Sequence, residues 1–233
     1  MTSFQRANTF FVWAHRGASA RAPENTMTAF RAAADAGADG IELDVHLSRD
    51  GIPVVIHDDT VDRTTDGTGA VADKSLAELL DLDAGTWFYE RFAGERMPLL
   101  AEVFAWAGER IRINVEIKDQ RAGRAVLSTI ADFPEVDVLI SSFNHKALSQ
   151  LRQLNAGLAL AFLTDSPFWR LSMRRALACV AESFHPKAMY LTRNLVVACH
   201  ANNLKIYPWT DGKLLNERDM RRRGVDGYFT DLP

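Results

Sequence analysis

The chain has 233 residues, about one and a half average domains, a length that one α/β barrel of ~200–250 residues also fills. With 27 Lys+Arg against 30 Asp+Glu the net charge is -3, so the chain as a whole carries no basic footprint for nucleic acid. A composition of 47% hydrophobic and 24% charged residues excludes disorder and low complexity, and two cysteines, Cys179 and Cys199, exclude a disulfide scaffold.

The first eight residues hold no apolar core of a signal peptide, and the longest clean apolar run, 158–163, is far below the ~20 residues of a spanning helix. A cytosolic home is the expectation. Residues 10–14 read as the first strand. A helix over 26–36 follows, with Asn25 as its N-cap and Gly37 as its stop. A second strand covers 39–47, and a short extended run covers 53–56 after the turn Arg49-Asp50-Gly51. Residues 58–98 then break the rhythm. They read as a small inserted subdomain, with Trp87, Phe88, Tyr89 and Phe92 as its core in preference to a lid over substrate.

From there helix and strand alternate. The helices cover 99–107, 121–132, 146–154, 168–179, 194–203 and 214–223. The strands cover 112–117, 136–140, 158–163, 204–209 and 227–230, with a further candidate at 183–185. Repeated β-then-α order implies a parallel sheet. Seven main strands and the further candidate make eight, which suits a (β/α)₈ barrel. A doubly wound sheet is the competitor, but the turn His15-Arg16-Gly17-Ala18-Ser19 lacks the GxGxxG pattern of wound dinucleotide folds.

Alternation along a strand sorts its side chains by parity. Over residues 40–46, Ile41, Leu43 and Val45 share one face and Glu42, Asp44 and His46 the other. Over 112–118, Asn114, Glu116 and Lys118 oppose Ile113, Val115 and Ile117. Both faces of a parallel sheet are covered, so such a polar row must be satisfied inside the protein. Glu42, Asp44 and Glu116 therefore suggest either a hard-cation site for Mg²⁺ or Ca²⁺ or an ion-pair network with Lys118. His15 and His57 each end an apolar run, where a barrel presents its active-site rim, and an imidazole there suits acid–base work. Arg16 adds a fixed cation suited to phosphate. His46 reads as a supporting residue. His145, His185 and His200 read as surface or cap residues, and Arg221-Arg222-Arg223 as a solvated helix end.

These residues fall in an order that resembles the bacterial glycerophosphodiester phosphodiesterase family. The matching motifs begin with His15-Arg16-Gly17, Pro23-Glu24-Asn25-Thr26, Glu42-Leu43-Asp44-Val45 and His57-Asp58. They continue with the stretch from Arg63 to Gly69, Leu82-Asp83-Ala84-Gly85 and Asn114-Val115-Glu116-Ile117-Lys118. Ser142-Phe143, Trp209-Thr210 and Thr230-Asp231-Leu232-Pro233 complete the series. The resemblance implies a TIM barrel with a small insertion after the second βα position, spanning 1–233 as one domain. It implies one divalent cation, Mg²⁺ favoured over Ca²⁺, on Glu42, Asp44 and Glu116. It makes His15 and His57 the catalytic pair and puts Arg16 and Lys118 on the phosphate. Phe143 and Trp209 fall at a rim that meets the alcohol. The expected reaction is hydrolysis of a glycerophosphodiester to sn-glycerol 3-phosphate and an alcohol. The glycerol 2-hydroxyl is the attacking group that the resemblance suggests. The partner is then a small molecule, without nucleic acid or stable membrane association. A related barrel phosphodiesterase for lysophospholipids or phosphoinositides is the enzymatic alternative, and a non-catalytic phosphate-ligand binder the alternative of another class. The family's usual Val-Asn after Trp-Thr is Asp211-Gly212 here.

Overall fold

The computed structural model describes residues 10–211 and 215–233. Gly212 and the expected first residue of the last helix, Leu214, lie outside the described residues. The chain opens with β1 (Phe11–Ala14), α1 (Met27–Asp35), β2 (Gly40–Leu47) and β3 (Pro53–Val55). A short helix α2 (Leu76–Leu80) precedes α3 (Leu100–Ala107), β4 (Arg112–Ile117), α4 (Gly123–Asp132), β5 (Val138–Ser142) and α5 (His145–Leu154). The remainder is β6 (Ala159–Thr164), α6 (Trp169–Ala178), β7 (Ser183–Pro186), α7 (Arg193–Ala201), β8 (Lys205–Ile206), α8 (Glu217–Arg223) and β9 (Gly227–Thr230).

Eight of these strands pair in parallel in the order β8-β7-β6-β5-β4-β2-β1-β9, and β3 lies antiparallel on β2. The last strand beside the first excludes the doubly wound alternative. Between β8 and β9 the Asp226 N–H donates to Ile206 C=O at 3.2 Å and the Phe229 N–H to Pro208 C=O at 3.1 Å, which draws the sheet round into a TIM barrel. β8 is shorter than its apolar run because Pro208 has no N–H to give. The flanking amides of Tyr207 and Trp209 still donate to Phe184 and Pro186.

Parity distributes the core. Ile41, Leu43, Val45, Ile113, Val115 and Ile117 point outward into the layer of helices. Trp13, Leu139, Ala161, Tyr207 and Phe229 fill the barrel's interior. Gly40 gives Trp13 its place, since a Cβ there would lie 2.5 Å from the indole ring. Gly40→Ala is expected to lower stability by about 1–3 kcal/mol through overpacking, read from the urea midpoint.

Three local expectations are corrected. Thr26, not Asn25, caps α1 and accepts the Ala29 N–H at 3.2 Å, because Asn25 turns to φ +58 and points at β2. His185 is neither a surface nor a cap residue. It sits fully buried on β7, facing the interior with Ser183, and its ring lies against Tyr207 and Phe229. The aromatics of the 58–98 segment do not form its core. Val54, Ile56, Val61, Val71, Leu79 and Met97 do, while Trp87 and Tyr89 are exposed and pack edge-on with Phe88. The Asp83 carboxylate fixes that turn by accepting the N–H groups of Gly85, Thr86 and Gly94. Among the described residues no helix is long and apolar enough to cross a membrane.

Candidate active site

Register brings the polar parities of β2 and β4 side by side, with Glu42 opposite Asn114 and Asp44 opposite Glu116. β5 adds Ser141 opposite Glu116. These side chains face inward, stacked along the strands toward the C-terminal ends, where a barrel carries its site. Glu42, Asn114, Glu116 and Ser141 border a cavity of about 130 Å³. His15, Arg16 and His57 border it from the loops after β1 and β3, and Lys118 from the end of β4. Phe143 and Trp209 border the rim, their rings edge-on at 5.5 Å. All nine expected site residues thus converge, with Asp44 buried behind the wall.

The three carboxylates are buried, and each offers an oxygen within 4.8 Å of the others. Burial and the neighbouring Asp44 push Glu42 up to about 8, and the same two causes raise Glu116. Asp44 stays well below the usual carboxylate range despite its burial, because Lys118 Nζ lies at 3.2 Å and Arg16 Nε at 3.4 Å. Asn25 Nδ2 donates to Asp44 at 2.8 Å, and the Asp44 N–H returns a bond to Asn25 Oδ1 at 3.3 Å. Lys118 also pairs with Glu116 at 2.6 Å. The ion-pair reading of the polar row is therefore realised, and Glu42, Asp44 and Glu116 also form a cluster that could hold a metal ion.

The backbone at Arg16 is held at φ +56, a costly conformation for a side-chain-bearing residue. It aims the Arg16 N–H at Glu42 Oε2, 3.0 Å away. His15 Nδ1 contacts Asp231 Oδ1 at 2.8 Å, and His57 Nδ1 contacts Asp58 Oδ1 at 2.6 Å. Both residues border the cavity, and among the described residues neither Nε2 has a hydrogen-bond partner. The two titrate differently. Burial disfavours the charged form of His15, but the Asp231 bond and Glu42 outweigh it and raise its pKa. Burial lowers that of His57, with Arg16 and Lys118 adding to the effect and Asp44 opposing it. His46 supports this loop, its Nε2 lying 3.1 Å from His57 C=O.

The structure adds partners to which the sequence assigned no part in the site. Asp58, Asp231 and Asn25 hold site residues, and Arg63 bridges Asp58 and Glu24. Among the described residues Asn114 Oδ1 and Ser141 Oγ, both buried, have no hydrogen-bond partner, an unmet capacity beside the cavity. Asp58 and Asp231 could have been found from their places in the His-Asp and Thr-Asp pairs. The Glu24–Arg63 contact, 39 residues apart, has no local signal.

A TIM barrel whose mouth gathers two cations, three carboxylates and two carboxylate-bound imidazoles is built as an enzyme of phosphate-ester chemistry. Residues 15–233 match the glycerophosphoryl diester phosphodiesterase family. The chain is 42% identical to a glycerophosphodiester phosphodiesterase of Caldanaerobacter subterraneus subsp. tengcongensis, over 95% of this chain and 94% of that protein. It is 38% identical to one of Bacillus altitudinis over 95% and 94%. Among solved structures, a phosphodiesterase of Oleispira antarctica in complex with the product sn-glycerol-3-phosphate superposes with a TM-score of 0.88 at 29% identity, covering 96% and 93%. The chain belongs to the glycerophosphoryl diester phosphodiesterase family and is an enzyme of phosphodiester hydrolysis.

Proposed function

We propose that the chain hydrolyses small glycerophosphodiesters to sn-glycerol 3-phosphate and an alcohol, with His15 and His57 as the proton-transfer pair. The observation that carries this reading is the pairing of each imidazole Nδ1 with a carboxylate beside a cationic pocket. Such a bond fixes ring orientation and tautomer and leaves Nε2 to exchange a proton with substrate. Two histidines with pKa values pushed in opposite directions suit a division into acid and base. One removes the proton of the attacking glycerol 2-hydroxyl and the other protonates the departing alcohol oxygen, and water then opens the resulting cyclic phosphate to sn-glycerol 3-phosphate. Arg16 and Lys118 face charge that grows on the phosphoryl oxygens. Asn114 and Ser141 offer their unmet bonds to substrate hydroxyls at the polar end, while Phe143 and Trp209 take the alcohol at the rim.

Glu42, Asp44 and Glu116 fit one divalent cation, Mg²⁺ favoured over Ca²⁺. The donors are hard oxygens, and the raised Glu42 and Glu116 are the mark of a carboxylate group lacking a counter-charge. Bound there, the ion would supply Lewis-acid polarisation of the phosphodiester. Because burial and the neighbouring Asp44 favour the protonated form of Glu42 without a cation, binding releases that proton, and apparent affinity for Mg²⁺ should rise with pH.

A panel of glycerophosphodiesters read by a coupled sn-glycerol 3-phosphate assay tests the function. We expect turnover of more than one head group, loss of activity with EDTA, and recovery with Mg²⁺ or Ca²⁺. Binding of glycerophosphocholine without turnover would support the non-catalytic alternative. Full activity under chelation would exclude the cation.

A further inference from the structure

Arg63 stands in the segment between β3 and α3 and does not border the cavity, yet it is joined through Asp58 and Glu24 to two residues that do, His57 and Arg16. Its Nε donates to Asp58 Oδ2 at 2.6 Å and its Nη2 to Asp58 Oδ1 at 3.1 Å. On the other side Nη1 and Nη2 donate to the two oxygens of Glu24, each at 2.8 Å. Asp58 continues to His57 Nδ1, and Glu24 accepts Arg16 Nη1 at 2.8 Å. Four side chains therefore alternate in charge across the site, in the order Arg16, Glu24, Arg63 and Asp58, and the row ends on the imidazole of His57.

The guanidinium suits this place because its planar fork meets a carboxylate with two parallel bonds on each side, which an ammonium cannot do. Arg63 holds Asp58 ionised, down to about 2, and Glu24 below its ordinary value against the effect of burial. Without it, Asp58 and Glu24 lose their common counter-ion. Asp58 is then free to turn away from the imidazole, and Glu24 draws on Arg16 alone. Arg16 already serves Asp44 and keeps its backbone bond to Glu42.

We propose that Arg63 is a positioning residue of the reaction, fixing His57 through Asp58 and Arg16 through Glu24 and so setting the imidazole against the phosphate-binding cation. This rests on the reading of His57 and Arg16 given above. It assigns the segment after β3 a part in assembling the site.

The test is steady-state kinetics of Arg63→Gln, Arg63→Lys and Arg63→Ala with a glycerophosphodiester that the wild type turns over. Arg63→Gln is expected to lower kcat about 10- to 100-fold, the scale of an ångström-sized misplacement, with a smaller change in KM. Arg63→Lys, which keeps the charge but only one bond at a time, should fall between it and wild type. Guanidinium at millimolar concentration should raise the activity of Arg63→Ala and not that of wild type. In an Asp58→Asn background Arg63→Gln should cost less than it does alone, because part of its effect passes through Asp58. A kcat for Arg63→Gln within about twofold of wild type overturns the proposal. So does a loss that guanidinium leaves unchanged and that adds in full to that of Asp58→Asn. Circular dichroism of Arg63→Lys shows whether the fold persists; a folded Lys variant with wild-type kcat also overturns it. Wild type inactive on every diester would instead overturn the proposed function.

Discussion

His57→Ala is expected to lower kcat for glycerophosphodiester hydrolysis by roughly 10²- to 10⁴-fold, and His15→Ala by a comparable factor, while both proteins stay folded. The size follows from what each ring does. A positioned proton donor or acceptor acts in the transition state and little in the ground state, so its removal shows in kcat more than in KM. Folding should survive because both side chains are partly exposed, 29% for His57 and 21% for His15, so truncation opens no closed cavity. Their Nδ1 partners Asp58 and Asp231 are more than a quarter exposed and can be rehydrated. The wild-type pH profile should be bell-shaped, with one limb lost in each variant. The double variant should fall short of the product of the single losses, because acid and base serve one reaction. Thermal unfolding of each variant separates chemistry from folding. Activity within about tenfold of wild type in either single variant would remove that histidine from the proposed pair.

The part of the site that lies on strands was legible in the sequence because a strand writes its two faces as odd and even positions. Glu42, Asp44, Glu116 and Lys118 stand out against Ile41, Leu43, Val45, Ile113, Val115 and Ile117 without any knowledge of the register. The parallel pairing of β2 with β4 then brings the two rows together. His15 and His57 were legible because each ends an apolar run. The parts that were not legible depend on backbone turns or on distant contacts. Asn25 has the composition of a cap, and only its φ of +58 sends it to Asp44 instead. Arg63 reads as one more charged residue in a polar loop until the fold brings Glu24 beside it. The aromatics around Phe88 read as core by type, but aliphatic side chains had already filled the interior of that segment. In each case the missing information is the position of another element.

His185 shows the same limit and carries the second large prediction, which concerns stability. Among six histidines its sequence context is unremarked, since β7 has four residues and too few alternations to separate faces. Folding places it at 0% exposure, with Nε2 2.9 Å from Ser183 Oγ and Nδ1 without a hydrogen-bond partner among the described residues. Burial and then the Arg112 cation push its pKa down to about 3. The unfolded chain protonates this ring near the ordinary value of ~6.5. Between those values the unfolded state binds a proton that the folded state refuses, so stability rises with pH across the window. The contribution is complete above the unfolded value and is lost as pH falls toward 3, amounting to about 2 kcal/mol by about pH 5. His185→Gln, which can keep a bond to Ser183 and does not titrate, should lack this loss. Urea unfolding of both proteins at about pH 7.5 and about pH 5 isolates it, because other titrating groups, including the raised Glu42, act alike in the two and cancel in the difference. The wild type should lose about 2 kcal/mol more than the variant on acidification. Equal losses would mean that the buried imidazole accepts its proton in the folded barrel, and that the ring has water or a carboxylate beside Nδ1.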